Sequence, residues 1–158
     1  MKSTGEAIGY DDKLNRALYK ALQAAGLRLQ NYGTVFVTVA DDDKAEMLPL
    51  IRRFYNLGFN IEATGGTARF LKENGIRTHV LNKISSGSEE IPDALRQGHI
   101  AYVINTRAIG AADAQSDGLL IRRLATENNV TMFTSLDTVR VLLDVLEETT
   151  LTVSTINS

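Results

Sequence analysis

Four consecutive residues, Thr64-Gly65-Gly66-Thr67, have the composition of a phosphate-binding turn. They follow a β-rich run and precede a helical pattern, so their backbone N–H groups would lie at the start of a helix, where anions bind. Glycine lets the backbone approach a ligand closely, and both threonine hydroxyls can donate hydrogen bonds. A glycine-rich turn with a threonine cap has the same sequence, so these residues alone leave both interpretations open.

Polar side chains also follow three other predicted strands. Lys44 comes after the first strand, Lys83 after the third, and Asn105-Thr106 ends the fourth. A single lysine is usually a solvated surface residue. In open α/β sheets, however, ligands bind beyond the carboxyl ends of the strands, and all of these residues occupy that position. We therefore predict that two ammonium groups converge with the glycine-rich turn on a phosphate.

Candidate catalytic and metal-binding residues are few. His79 lies within the third strand pattern and His99 in a glycine-histidine turn, so we interpret both as structural or surface residues and not as bases. The chain has no cysteine and only two histidines, so no metal site is predicted. Asp41-Asp42-Asp43 is interpreted as a helix N-cap, and Asp117 could either cap a late helix or contact a ligand hydroxyl.

These residues are positioned by alternating strands and helices. Helical periodicity predicts a first helix over Leu14 to Ala25, and further helices over Met47 to Tyr55, from Gly66, after Pro92, from about Asp117, and over Leu136 to Leu146. Such alternation predicts a doubly wound, open, parallel five-stranded α/β sheet with helices on both faces. The predicted strands are Thr34 to Val39, Phe59 to Ala63, Thr78 to Leu81, Ala101 to Asn105 and Val130 to Phe133.

Length and composition are those of one globular domain. The chain has 158 residues, of which 44% are hydrophobic and 23% charged, with a formal net charge of -2. This near-neutral balance argues against nucleic acid and membrane surfaces as partners. The first residues have no apolar segment of signal-peptide length, so we expect a cytoplasmic protein.

In these motifs the chain resembles the C-terminal allosteric domain of the carbamoyl-phosphate synthase large subunit, which has the methylglyoxal-synthase-like fold. The matching segments run in family order over roughly residues 34 to 146. They are Val39-Ala40-Asp41-Asp42-Asp43-Lys44, Leu57-Gly58-Phe59, Ala63-Thr64-Gly65-Gly66-Thr67-Ala68, Asn82-Lys83, Ile104-Asn105-Thr106, and Asp117 followed by Ile121-Arg122-Arg123.

The N-terminal residues extend the resemblance. Lys2 to Glu6 and Ala17 to Leu22 look like that family's exit from its second synthetase half and the helix that follows. The resemblance thus implies an excised fragment without the ATP-binding catalytic parts. We expect a linker and helix over residues 1–33, the allosteric domain over residues 34–148, and a threonine-rich tail over residues 149–158 that is disordered or docks on the missing domains.

The resemblance implies regulation without catalysis in this fragment. The family's domain binds a nucleotide monophosphate such as UMP as inhibitor, and IMP or ornithine activate some members. Its parent enzyme hydrolyses glutamine with a small glutaminase subunit, uses ATP with Mg²⁺ or Mn²⁺, and serves pyrimidine or arginine biosynthesis. By matching position, the phosphate would contact Lys44, Thr64, Gly65, Gly66, Thr67 and Lys83, and the ribose or base would contact Thr38, Asn105, Thr106 and Asp117.

The chain departs from the family's sequence pattern at two places, and two alternative functions stay open. Arg107 replaces a small hydroxyl residue of several relatives, and Ala108 to Ser116 is longer and richer in alanine than their loop, which leaves open whether the effector is UMP, IMP, phosphoribosyl pyrophosphate or ornithine. The enzyme methylglyoxal synthase shares the fold, but its glycine-glycine-aspartate signature reads Ser86-Gly87-Ser88 here, and Ala114 falls where its histidine is expected. A purely oligomerising domain is the other alternative.

Overall fold

In this structure, a computed structural model, residues 32–106 and 117–157 are described. Most of the predicted 1–33 linker, including its helix over Leu14 to Ala25, lies outside these ranges. So does the loop from Arg107 to Ser116. The resemblance that rests on those segments is therefore a prediction from sequence alone.

The sheet is parallel, and its strand order is β3-β2-β1-β4-β5. The chain first builds outward from β1 to β3 and then crosses to the other side of β1, so strand order switches between β1 and β4. The register sets Thr38 opposite Asn105, which brings the carboxyl ends of β1 and β4 level. The strands are β1 Thr34–Thr38, β2 Asn60–Thr64, β3 His79–Leu81, β4 Ile100–Asn105 and β5 Thr131–Phe133.

Five helices in the described ranges cover both faces of the sheet, as predicted. On one face, α1, α2 and α5 pack against Val35, Val37 and Tyr102 in a single apolar cluster. On the other face, α3 and α4 pack against Phe36 and Val103. The helices are α1 Lys44–Asn56, α2 Gly65–Glu73, α3 Glu90–Gln97, α4 Asp117–Glu127 and α5 Leu136–Asn157.

Strand β1 lies at the centre of the fold and is covered by helices on both faces. All five of its residues are buried, which is expected of a parallel strand covered on both faces. Phe54 at the end of α1 meets Phe59 edge to face, with ring centroids 5.3 Å apart. This packing holds the turn between α1 and β2 in place. It thereby helps to position the glycine-rich turn that follows β2.

The acidic run before α1 differs from the prediction. Asp41–Asp43 form a 3₁₀ turn. Asp43 holds the N-cap position of α1, but its backbone is helical, with φ -96° and ψ -7°, and its side chain makes no capping hydrogen bond. A capping side chain needs an extended backbone to reach the first free N–H groups, so Asp43 does not provide the side-chain cap that was predicted for this run.

The C-terminal segment is helical, and its docking on other domains stays a prediction. The expected tail over residues 149–158 lies for the most part within α5, which continues without interruption to Asn157. Threonine is only a moderately poor helix former, and a helix that packing has already nucleated extends at little cost. Residue 148 is thus not the end of an element.

An ion-pair cluster links α5 to α1. The Arg53 guanidinium donates to Glu147 at 2.6 and 3.0 Å and to Asp144 at 2.8 Å. The hydrogen bond to Glu147 contributes most to raising the pKa of Arg53 above its usual value, and Asp144 adds to it against partial burial. Arg53 therefore stays charged and holds the middle of α5 on α1.

Candidate functional site

A cavity of about 330 Å³ opens at the carboxyl ends of β1, β2 and β3. This is within the size range of small-molecule sites. We call it the lysine pocket. It is lined by Ala40, Asp41 and Lys44 after β1, by Gly66 and Thr67 after β2, and by Lys83 after β3.

The glycine-rich turn forms the floor of this pocket at the start of α2. Thr64 is the N-cap residue, with an extended backbone at φ -79° and ψ 163°, yet its side chain makes no capping hydrogen bond. Its hydroxyl instead donates to Thr38 Oγ1 at 3.4 Å. The first N–H groups of α2 are thus left without that cap, which is the arrangement in which a helix start accepts an anion.

Gly66 has a steric role. A Cβ placed on Gly66 would lie 3.5 Å from Lys44 Nζ, whereas a Cβ on Gly65 would meet nothing within 4 Å. Glycine at position 66 therefore keeps open the space between the helix start and the lysine ammonium. Gly65 is exposed beside the pocket but is not among its lining residues.

Thr67 ties this turn to the neighbouring strand. Its hydroxyl accepts a hydrogen bond from the backbone N–H of Val39 at 3.5 Å, and its side chain is almost wholly buried. The first turn of α2 and the end of β1 are consequently held together, which keeps the two sides of the lysine pocket at a fixed separation.

The two lysines give the pocket its charge. Lys44 is 20% exposed, and its ammonium lies 2.5 Å from Asp41 Oδ1. Lys83 is exposed at the start of the 3₁₀ turn Ile84–Ser86, and within the described ranges it forms no ion pair. Two cations and one carboxylate line the cavity, so the lining carries a net positive charge suited to an anion.

The predicted ribose and base contacts have other surroundings. Asn105 is fully buried, and its amide donates to the Gly118 carbonyl at 2.8 Å. Its Oδ1 has no hydrogen-bond partner among the described residues. Thr38 is buried against Thr64. Asp117 begins α4. The structure therefore gathers Lys44, Gly66, Thr67 and Lys83 around the pocket and keeps Thr38 off its lining. The contact predicted for the Asp117 side chain lies outside what the structure describes.

A second cavity, of about 500 Å³, adjoins the first at Ala40. The backbone N–H of Ala40 donates to Thr106 Oγ1 at 2.9 Å, which closes the gap between β1 and β4. Sequence reasoning missed this acidic cavity, although Thr134 and Ser135 follow β5 just as the lysines follow their strands. Its lining is Ala40, Asp42, Asp43, Glu46, Thr106, Thr134, Ser135, Leu136 and Asp137.

Ser88, His79 and His99 are not among the residues that line the lysine pocket. Ser88 Oγ accepts a hydrogen bond from the Glu90 N–H at 3.1 Å, at the start of α3. His99 Nε2 lies 3.5 Å from Glu62 Oε2, and His79 is exposed on the edge strand. Over residues 32–106 and 117–157, no three histidine, aspartate or glutamate side chains are grouped as metal ligands. None of the helices there combines the length and apolar character needed to span a bilayer.

Two comparisons place this geometry among known proteins. The chain is similar to the crystal structure of methylglyoxal synthase from Elizabethkingia anophelis NUHP1, with 19% identity and a TM-score of 0.57 over 73% of this chain and 79% of that one. At that identity the likeness shows the fold. A family model described as the MGS-like domain matches residues 46–134, from α1 to the end of β5. Since this match spans more than half of the chain, the protein belongs to the MGS-like domain family.

Proposed function

We propose that this chain is the allosteric domain of a glutamine-hydrolysing carbamoyl-phosphate synthase large subunit, and that it binds a nucleotide monophosphate such as UMP or IMP through its phosphate. The observation that carries the proposal is the lysine pocket, where Lys44 and Lys83 flank the uncapped start of α2. A phosphate dianion placed there would receive backbone N–H donors from below and ammonium groups from two sides.

The volume of the lysine pocket leaves room for more than the phosphate group. The cavity of about 330 Å³ is larger than a phosphate group needs, so the ester can extend outward from it. The adjoining acidic cavity begins at Ala40, on the side of the pocket that faces β4. We therefore expect the nucleoside to extend toward the end of β4, with Thr106 beside it.

A second candidate is methylglyoxal synthase, which the structural likeness favours. That reaction eliminates phosphate from dihydroxyacetone phosphate after an aspartate removes a proton beside the carbonyl. Ser88 stands where that aspartate is expected, and its hydroxyl is engaged at the start of α3. Asp41 does line the pocket, but Lys44 holds its carboxylate. We therefore favour binding without chemistry, and methylglyoxal formed by the purified protein would reverse this preference.

The wider role follows from the resemblance. We propose that effector binding here biases a cytoplasmic parent enzyme between states of different activity, which requires different effector affinities in the two states. The rest of the large subunit, the glutaminase subunit and other copies of the chain would be its partners. ATP and its Mg²⁺ or Mn²⁺ would act in the parent's other domains, for pyrimidine or arginine synthesis.

Calorimetric titration of UMP and IMP tests the site. Lys83→Ala removes one pocket ammonium, and Lys72→Ala, at an exposed position in the last turn of α2, is the control of equal charge change. A hydrogen bond to a charged group contributes about 1.5–3 kcal/mol, so we expect Lys83→Ala to weaken UMP binding about 10- to 150-fold. The control should bind like the original chain. Equal UMP affinity in both variants, or no UMP or IMP binding by the original chain, would refute the site.

A further inference from the structure

We infer that Asp41 competes with the ligand for Lys44, so that its carboxylate acts as an intramolecular substitute for phosphate and sets the affinity of the lysine pocket. The inference rests on the proposed phosphate-binding function. It assigns to Asp41 a role in tuning affinity that is separate from direct ligand binding.

The position of the Lys44 ammonium is the first observation. Lys44 Nζ lies 3.5 Å from the point where a Cβ on Gly66 would be, so the ammonium is held above the first turn of α2. The positive end of the helix dipole is also there. A cation is poorly placed at a helix N-terminus unless an anion accompanies it, and a bound phosphate would be such an anion.

The contact with Asp41 is the second observation. Asp41 Oδ1 lies 2.5 Å from Lys44 Nζ, three residues away along the chain. The 3₁₀ conformation of Asp41–Asp43 creates this approach, since side chains at i and i+3 lie on the same side of such a turn. Among the described lining residues Asp41 carries the one negative charge. The carboxylate thus occupies one of the interactions that a phosphate would make with Lys44.

The difference in exposure shows that the contact can be exchanged. The Lys44 side chain is 20% exposed, whereas that of Asp41 is 92% exposed. Asp41 can therefore turn toward water with little change in its burial, while Lys44 stays in place for the ligand. Exposed ion pairs contribute little to stability, so a doubly charged phosphate held by several donors should displace this carboxylate. The displacement nevertheless lowers the ligand's net affinity.

The expected effect of removing the competitor is a gain in affinity. Asp41→Asn removes the ion pair and the repulsion between carboxylate and phosphate, and keeps the side-chain volume. We expect UMP and inorganic phosphate to bind about two- to five-fold more tightly, which is the upper part of the range for an exposed ion pair. Asp42→Asn is the matched control for inorganic phosphate, because it removes the same charge from the same turn but lines the acidic cavity and not the lysine pocket.

Calorimetric titration of both ligands into the original chain, Asp41→Asn and Asp42→Asn, at constant ionic strength, tests the inference. The same Asp41 change in a Lys44→Ala background completes a double-mutant cycle. We expect Asp41→Asn to bind both ligands more tightly than the original chain and Asp42→Asn not to do so. In the Lys44→Ala background, Asp41→Asn should give no gain in affinity.

Two other results would overturn the inference. If Lys83→Ala weakens UMP binding but Asp41→Asn binds no better than Asp42→Asn, the competition is wrong and the proposed function stands. If neither the original chain nor Asp41→Asn binds UMP or phosphate, both are wrong. Thermal unfolding of each variant shows whether a loss of binding reflects a loss of fold.

Discussion

Replacing Gly66 with alanine should separate ligand binding from stability. The backbone at Gly66 is not in the left-handed region, and the new Cβ would stand 3.5 Å from Lys44 Nζ, an ordinary van der Waals distance. Alanine therefore fits the unliganded fold. Because alanine also restricts the unfolded chain and favours the helix, we expect Gly66→Ala to raise the free energy of unfolding by about 0.4–1 kcal/mol.

The same methyl group should impair phosphate binding. A phosphate that contacts both the start of α2 and Lys44 must fit between the Gly66 backbone and Lys44 Nζ, and the new Cβ would fill this space. Losing one charge-assisted hydrogen bond costs about 1.5–3 kcal/mol, so UMP affinity should fall about 10- to 150-fold. The variant would be at least as stable as the original chain and yet bind poorly.

Gly65→Ala is the control, because its Cβ would meet nothing within 4 Å and Gly65 does not line the pocket. Urea unfolding measures stability and calorimetry measures UMP affinity for both variants. We expect neither variant to be less stable than the original chain, and only Gly66→Ala to lose affinity. Binding of UMP by Gly66→Ala within two-fold of the original chain would refute this view of the pocket floor.

Two further predictions concern stability. Arg53→Met should lower the free energy of unfolding by about 1 kcal/mol, since partly exposed ion pairs to Asp144 and Glu147 are lost. Because the pKa of Arg53 is raised in the folded state, its ion pairs contribute their full stability at any pH below the pKa of arginine in the unfolded chain. The loss of unfolding free energy in Arg53→Met should therefore be constant between about pH 6 and pH 9 in urea titrations. A strong pH dependence in that range would contradict this prediction. Asn105→Ala should cost about 1–3 kcal/mol, because the buried Gly118 carbonyl loses its donor; an unchanged urea midpoint would contradict that role.

Local patterns were sufficient to predict the fold and part of the site. The β-rich runs identified all five strands within one residue of their ends, because β-branched and apolar residues between turn signals are typical of strands. Once the elements alternate, parallel strands and right-handed crossovers bring their carboxyl ends together. Thr67, Lys44 and Lys83 could therefore be placed at one edge from their order along the chain.

The side-chain pairings required the strand register. Thr38 and Asn105 are polar residues at strand ends, and on sequence alone they were predicted to contact the ribose or base. Opposite each other in the register, they are buried, and Thr38 accepts from Thr64 while Asn105 donates to Gly118. Whether a strand-end hydroxyl faces a ligand or a neighbouring strand depends on that register, which composition does not reveal.

The conformation of short turns also could not be predicted from the sequence. Three aspartates before a helix are a common capping pattern, and only the 3₁₀ conformation brings Asp41 onto Lys44. The helical state of residues 149–157 depends likewise on the packed half of α5 that precedes them, including Leu142, Leu143 and Leu146. In both cases neighbouring structure overrides the local preference of the residues.

The most direct test of the central claim is to follow backbone amide resonances by NMR while UMP is added, and to repeat the titration with uridine. If the start of α2 holds the phosphate, UMP should shift the N–H resonances of Gly65, Gly66 and Thr67 most, and uridine, which lacks the phosphate, should leave them in place. Equal shifts with uridine, or UMP shifts centred on Thr134 to Asp137, would contradict the claim that the lysine pocket binds the phosphate.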